Sequence, residues 1–286
     1  MMSFVFAGLQ LLSAMNGGAA APDTPSDPAP RTVLPVEIGG GAPLPVHLYV
    51  PARAGSDWPL VMVMHGASRN GDDYRDNWMD LAEACDLIIA APEFSRARFP
   101  GSAHYNLGGL GQPADAEPRA FDVVGAIVDA VLEAYALNAE EYVMFGHSAG
   151  AQFVHRYMMF RPDPRVRRAI AANAGWYTAP DLEIAWPYGL ADAPEPPPSL
   201  EAVRALPISL HLGTHDNDPQ ASNLRRTPEA VAQGVGRFDR GRYMAELTGW
   251  PVTEVPGAGH DNALMVPLAV RELFPERIAS HADCDA

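Results

Sequence analysis

The sequence predicts an α/β protein: a mostly parallel central sheet covered by helices on both faces. Three observations predict it. Short runs such as residues 60–64 (LVMVM) and 87–90 (LIIA) are apolar at every position. Strands of that kind are buried on both faces, as in a parallel sheet. Between them lie stretches with apolar residues at helical spacing, the alternation that generates β-α units. Finally, the apolar run 142–145 stops at Gly146-His147-Ser148-Ala149-Gly150, immediately before another helical pattern.

In chain order, residues 33–38 and 46–50 read as an opening hairpin turned at Gly39-Gly40-Gly41. Strand 60–64 follows, then a helix ending near Ala84 and strand 87–90. A long amphipathic helix is expected over about 118–136, with Phe121, Val124, Ile127, Val128, Val131 and Leu132 along one face. After strand 142–145, Ala149, Phe153 and Tyr157 recur at helical spacing. Strands 169–172, 207–212 and 252–255 complete the sheet.

The 286 residues, 48% of them hydrophobic, suffice for one sizeable core but not for two α/β domains. Residues 33–280 are read as that domain. Residues 1–21 contain an uncharged apolar stretch followed by Gly18-Ala19-Ala20-Ala21, the form of a secretory signal, and predict a periplasmic or secreted product. No Lys or Arg precedes the stretch, so the alternative is a cytoplasmic product translated from Met15. The segment is too short to span a membrane as a mature helix. Proline-rich residues 22–32 read as a disordered spacer and 281–286 as a tail.

A net charge of −15 and a pI near 4.9 argue against nucleic acid or an anionic membrane surface as partner. The two cysteines, Cys85 and Cys284, form neither a C-x-x-C nor a zinc spacing. Cys85 is expected as a small buried side chain and Cys284 as a tail residue. A bridge requires the tail to meet a helix end at bonding geometry.

G-x-S-x-G at a strand-to-helix turn is the pattern of a nucleophile elbow, with Ser148 standing proud of the sheet and glycines where backbones crowd. Such a serine needs an acid and then a histidine later in the chain. Asp216 follows strand 207–212, with Asp218 as its rival, and His260 lies in the glycine-rich loop after strand 252–255. The oxyanion donors are expected to be the backbone N–H of Ala149, after the nucleophile, and of Ala67, in the His65-Gly66-Ala67-Ser68 loop after strand 60–64. His65 and His147 are read as hydrogen-bonding supports. His211 and His215 near Asp216 and Asp218 do not read as a metal site: no calcium-loop glycine follows and strand alternation turns His211 inward. No metal or cofactor is expected.

With His65-Gly66, Gly146-x-Ser148-x-Gly150, Gly213-x-x-Asp216 and Gly259-His260 in place, the chain resembles the α/β-hydrolase superfamily. Within it, the chain looks most like bacterial polyhydroxybutyrate-depolymerase-like and feruloyl-esterase-like hydrolases. The resemblance covers about residues 33–280 and implies a Ser148–His260–Asp216 triad acting on a small or polymeric carboxylic ester without a cofactor. It does not carry over a substrate. Amide hydrolysis by the same triad is the alternative. A non-catalytic binding protein on this scaffold would be expected to have lost part of the triad.

Three connections exceed ordinary loop lengths. Residues 93–112 hold Phe94, Phe99 and Tyr105, and residues 176–206 hold Trp176, Tyr177, Trp186 and Tyr188. Because these two leave strand C-termini, where open α/β sheets bind ligands, Phe94, Tyr105, Trp176, Tyr177, Trp186 and Tyr188 are expected to wall the substrate cleft, the second segment forming a small proline-rich cap. Residues 217–242 hold Arg225, Arg226, Arg237 and Arg240, read as loop salt-bridge partners.

Overall fold

The structure is a computed structural model that describes residues 31–113 and 118–285. Eight strands form one sheet: β1 (Arg31–Val36), β2 (Leu44–Tyr49), β3 (Leu60–Met64), β4 (Ile88–Pro92), β5 (Tyr142–His147), β6 (Val166–Ala172), β7 (Ile208–Gly213) and β8 (Val252–Val255). Their order is β1-β2-β4-β3-β5-β6-β7-β8. β2 pairs antiparallel with β1 and β4, and every other pairing is parallel. The residues assigned to the signal segment, and nearly all of the spacer, lie outside the described residues.

The helices are α1 (Gly71–Asp76), α2 (Met79–Cys85), α3 (Gly101–His104), α4 (Val124–Ala134), α5 (Ala149–Phe160), α6 (Leu200–Arg204), α7 (Pro228–Ala232), α8 (Arg237–Thr248), α9 (Val266–Leu273) and α10 (Pro275–Ser280). None is long and apolar enough to cross a membrane. Side-chain alternation along the strands divides the interior in two. Leu60, Met62 and Met64 of β3 pack with α4 and α5, while Val61 and Val63 pack with Trp78, Ala82 and α9. The sheet is therefore covered on both faces, as the wholly apolar strands predict.

The helix expected over 118–136 is regular only from Val124 to Ala134. Before it, the Phe121 N–H donates to Gly108 O and the Phe121 ring lies against Gly108, where a Cβ would fall 2.1 Å from the ring. A tertiary contact has drawn the first turns of the pattern out of the helix.

The cysteines are not separate. Cys85 at the end of α2 forms a disulfide with Cys284, with Cα atoms 5.0 Å apart. Two ion pairs bring the chain end there: His281 Nε2 lies 2.8 Å and Arg277 Nη1 3.5 Å from the Asp86 carboxylate. The reading of Cys284 as a tail residue is corrected by these contacts, and the bridge that the sequence left open is formed.

The aromatic segments also depart from expectation. Phe94, Tyr105 and Tyr177 are fully buried. Phe94 and Tyr105 pack on each other and on Phe153 of α5, with ring centroids 5.3–5.5 Å apart. Trp186 packs edge-on against Phe160, and Tyr188 lies tilted against Trp176.

Candidate active site

The elbow is built by close backbone approach. A Cβ on Gly150 would lie 1.9 Å from Met64 O, and one on Gly146 would lie 2.3 Å from Gly150 O. Only glycine fits either position if β5 is to turn into α5 beside β3. Between them Ser148 takes φ 59° and ψ −114°, a strained conformation for a residue with a Cβ. Its N–H is anchored on Ala172 O at 2.9 Å, which presents the hydroxyl above the C-terminal ends of the strands.

Two loops deliver its partners. The turn after β7 and the loop after β8 are joined by Thr214 N–H to Val255 O (3.1 Å) and His215 N–H to Ala258 O (2.8 Å). Asn173, buried and at φ 51°, ties both to the end of β6: its Oδ1 accepts from the Gly213 N–H and its Nδ2 donates to Gly259 O. Ser148 Oγ–H donates to His260 Nε2 at 3.0 Å, and His260 Nδ1–H donates to Asp216 Oδ2 at 2.6 Å. Asp218 accepts instead from the Gln220 N–H on the surface.

The second oxygen of Asp216 accepts from Arg237 Nη1 at 3.0 Å, and both side chains are almost fully buried. A buried carboxylate is tolerated only when paired and hydrogen-bonded, and Arg237 meets that condition. Its Nη2 reaches Asn223 Oδ1 at 2.6 Å. Of the four arginines read as salt-bridge partners, Arg237 alone makes an ion pair among the described residues. Arg226 and Arg240 donate to backbone carbonyls, and Arg225 donates to the Tyr188 hydroxyl.

Ala149 is the first residue of α5, so its N–H has no intrahelical acceptor. Ala67 lies across from it, and both line the cavity at Ser148. His65 braces the Ala67 loop: its Nδ1–H donates to Gly66 O and its Nε2 accepts from the Phe94 N–H, both at 3.0 Å. Burial holds this imidazole neutral, pushed down to about 3. Burial also holds His147 well below the usual histidine range. His147 meets the Tyr74 hydroxyl at 3.0 Å, and its ring lies 4.7 Å from that of His260. Among the described residues no group of three acidic, histidine or cysteine side chains could hold a metal ion. His211 instead pairs with Glu272 at 2.8 Å.

Ser148 stands where two lobes meet, sharing Ala67, Ser148 and Asn223. The larger, about 360 Å³, is lined by Arg69, Arg96, Arg225, Arg237, Trp176 and Gln152 among others. The smaller, about 270 Å³, is lined by His260, Asp261, Asn262, Tyr74 and His147 among others. Of the six aromatic residues expected at the cleft, only Trp176 lines it. Sequence reasoning passed over Asn173, Asn223, Arg69, Arg96 and the pairing of Arg237 with Asp216. Asn173 carried one signal: an asparagine directly after a strand is among the few side chains suited to positive φ.

No protein-family model matches the chain, and no curated protein does. Solved structures do. A poly(aspartic acid) hydrolase from Sphingomonas sp. KT-1 is 37% identical, with a TM-score of 0.78 over 85% of this chain and 98% of its own. A poly(3-hydroxybutyrate) depolymerase from Bordetella parapertussis is 32% identical, with a TM-score of 0.77 over 89% and 93%. A fluorophosphonate-binding serine hydrolase from Staphylococcus aureus, 13% identical with a TM-score of 0.56 over 87% and 99%, shares the fold alone. Matches at this identity across nearly the whole of two relatives, together with the sheet order and the serine elbow, show that the chain belongs to the α/β-hydrolase superfamily, beside polyhydroxybutyrate-depolymerase-like serine hydrolases.

Proposed function

We propose that the protein is a serine hydrolase that cleaves carboxylic esters through an acyl-enzyme. The unbroken relay Ser148 Oγ–His260–Asp216 at the junction of the two lobes carries this reading. His260 Nε2 takes the Ser148 proton as Oγ attacks the ester carbonyl carbon. The Ala67 and Ala149 N–H groups receive the negative charge that develops on the carbonyl oxygen. His260 then returns the proton to the departing alkoxide, leaving the acyl group on Ser148. A water, deprotonated by the same imidazole, releases the acid. Asp216 orients the ring and balances its transient charge, with Arg237 fixing the carboxylate from behind.

The 32% identical depolymerase supports a polyester among the substrates. A feruloyl ester gains no support from the aromatics expected at the cleft, because five of the six do not line it. Amide hydrolysis is a second reading, favoured by the 37% identical poly(aspartic acid) hydrolase together with the cationic lobe. Export remains our reading of the N-terminal stretch, and the Cys85–Cys284 disulfide supports an oxidising compartment.

A fluorophosphonate probe should label the wild type at Ser148 and fail on Ser148→Ala. That variant should keep less than about a hundredth of the turnover on p-nitrophenyl butyrate. Retained turnover would remove Ser148 from the chemistry. Faster hydrolysis of a peptide anilide than of the butyrate would favour the amide reading.

A further inference from the structure

The two lobes differ sharply in charge. The larger brings four guanidinium groups to one cavity with no Asp or Glu in its lining, on a chain of net charge −15. Like charges gathered this way oppose one another: Arg96 adds to the burial that lowers Arg69, and Arg225 to the burial that lowers Arg156.

Two of the four charges are already committed. Arg237 faces Asp216, and Arg69 donates to the carbonyls of Phe94, Phe99 and Gly101. The other two are not. Arg96 donates to Ala67 O and Arg225 to the Tyr188 hydroxyl, both neutral oxygens, and neither makes an ion pair among the described residues. Both are exposed at the cavity. Arg225 is nonetheless held in place, its guanidinium 5.0 Å from the Trp176 ring centroid and 5.5 Å from that of Tyr188. Aromatic faces and one hydroxyl orient a guanidinium without neutralising it, leaving donors free for a planar anion.

Proton delivery decides which part of the substrate lies there. The leaving oxygen must come within reach of His260 Nε2, and His260 lines the smaller lobe. The acyl group then extends into the larger lobe, beside Ala149. An anionic leaving group would instead meet Asp261 in the smaller lobe.

We propose that the larger lobe is an acyl-side carboxylate subsite, in which Arg225 and Arg96 bind an anionic carboxylate at the far end of the acyl group. The proposal rests on the acyl-enzyme reading of Ser148 and narrows its substrate to acyl groups that carry a second, ionised carboxyl.

Three esters test it by pH-stat titration: monoethyl succinate, charged on the acyl side; ethyl butyrate, uncharged; and O-butyrylglycolate, charged on the alcohol side. The wild type should prefer monoethyl succinate to ethyl butyrate by about tenfold or more in kcat/KM, expressed mainly in KM, as a charge-assisted contact implies. Arg225→Gln and Arg96→Gln should each lower that ratio, and Arg225→Lys should keep most of it. Because a ratio is read within each protein, partial unfolding does not imitate the effect. A wild-type ratio near one, or a preference for O-butyrylglycolate, overturns the subsite. A second arm needs no ester turnover: at equal ionic strength, succinate should slow fluorophosphonate labelling of Ser148 while succinamide does not. Equal protection by both overturns the subsite even if esters are hydrolysed. Succinate-specific protection without turnover of any of the three esters supports it while refuting the ester reading.

Discussion

Residues 176–188 and 216–242 belong to long connections that leave neighbouring parallel strands, β6 and β7, at the same end of the sheet. They are put to opposite uses. The aromatic segment turns its side chains inward: Tyr177 and Tyr188 are buried, Trp186 is half-buried against Phe160, and Trp176 alone reaches the cavity. The arginine segment supplies the acid Asp216, its partner Arg237, and the cavity residues Asn223 and Arg225. Apolar surface in a long connection is consumed wherever a core can take it, since burial of an aromatic ring is worth several kcal/mol. Charge is buried only where its donors are met, as Arg240 is by the carbonyls of Gly234, Gly175 and Arg225, whereas Arg225 stays at the cavity without a carboxylate partner among the described residues.

The contrast predicts that changes in the arginine segment lower rate, and that changes in the aromatic segment lower stability. Asp216→Asn should reduce kcat by about 10,000-fold, because an amide cannot hold the required His260 tautomer or balance its charge. Asp218→Asn, on a carboxylate occupied with the Gln220 N–H at the surface, should stay near wild type. Steady-state kinetics on p-nitrophenyl butyrate decides the pair. If Asp218→Asn were the more damaging, the relay in the structure would not be the working one.

Tyr177→Ala is the opposite case. Tyr177 is fully buried, its ring 5.1 Å from that of His155 and its N–H and C=O both bound by the Gln233 amide. Losing the ring should cost about 3–5 kcal/mol of stability. Urea unfolding would show this as a lower midpoint, with KM for p-nitrophenyl butyrate unchanged in the folded fraction. A raised KM at full stability would move this tyrosine into the cleft.

The legibility of the sequence divides along the same line. The strands and the glycines of the elbow were readable because their causes are local: alternation, apolar runs and Cβ exclusion at Gly146 and Gly150. Ser148, Asp216 and His260 were placed by chain order and by strand ends, and the structure brings them within hydrogen-bonding distance. What was not readable depends on who meets whom across the fold. An arginine in a loop looks alike whether it faces the triad acid, as Arg237 does, or an aromatic pair, as Arg225 does. An aromatic in a loop likewise looks alike whether it faces ligand or core. The cysteine bridge stayed open for the same reason, because 199 residues separate partners that meet through tertiary packing and the Asp86 ion pairs.

That disulfide calibrates the contrast. It joins the chain end to α2 within the cluster beneath the sheet face packed by α9, away from both lobes. Cys85→Ser with Cys284→Ser should therefore lower stability by about 2–4 kcal/mol, the usual worth of a bridge closing a long loop, and leave kcat/KM unaltered. Calorimetry of the oxidised and double-serine proteins measures the first quantity and ester kinetics the second. A fall in kcat/KM would show that the tail reaches the catalytic loops.

Trp186→Ala carries the smallest expected effect and the finest discrimination. Its segment was expected to wall the substrate cleft, which would make the variant raise KM for bulky esters about tenfold. The ring packs edge-on against Phe160 at 5.4 Å and does not line either lobe. Because it is only half-buried, truncation should cost about 1–2 kcal/mol, less than for a fully enclosed tryptophan. KM for p-nitrophenyl acetate and for p-nitrophenyl octanoate should stay together at their wild-type values while the melting temperature falls by several degrees. A selective rise in KM for the octanoate, with no loss of melting temperature, would return the aromatic segment to the cleft wall and erase the division of labour between the two connections.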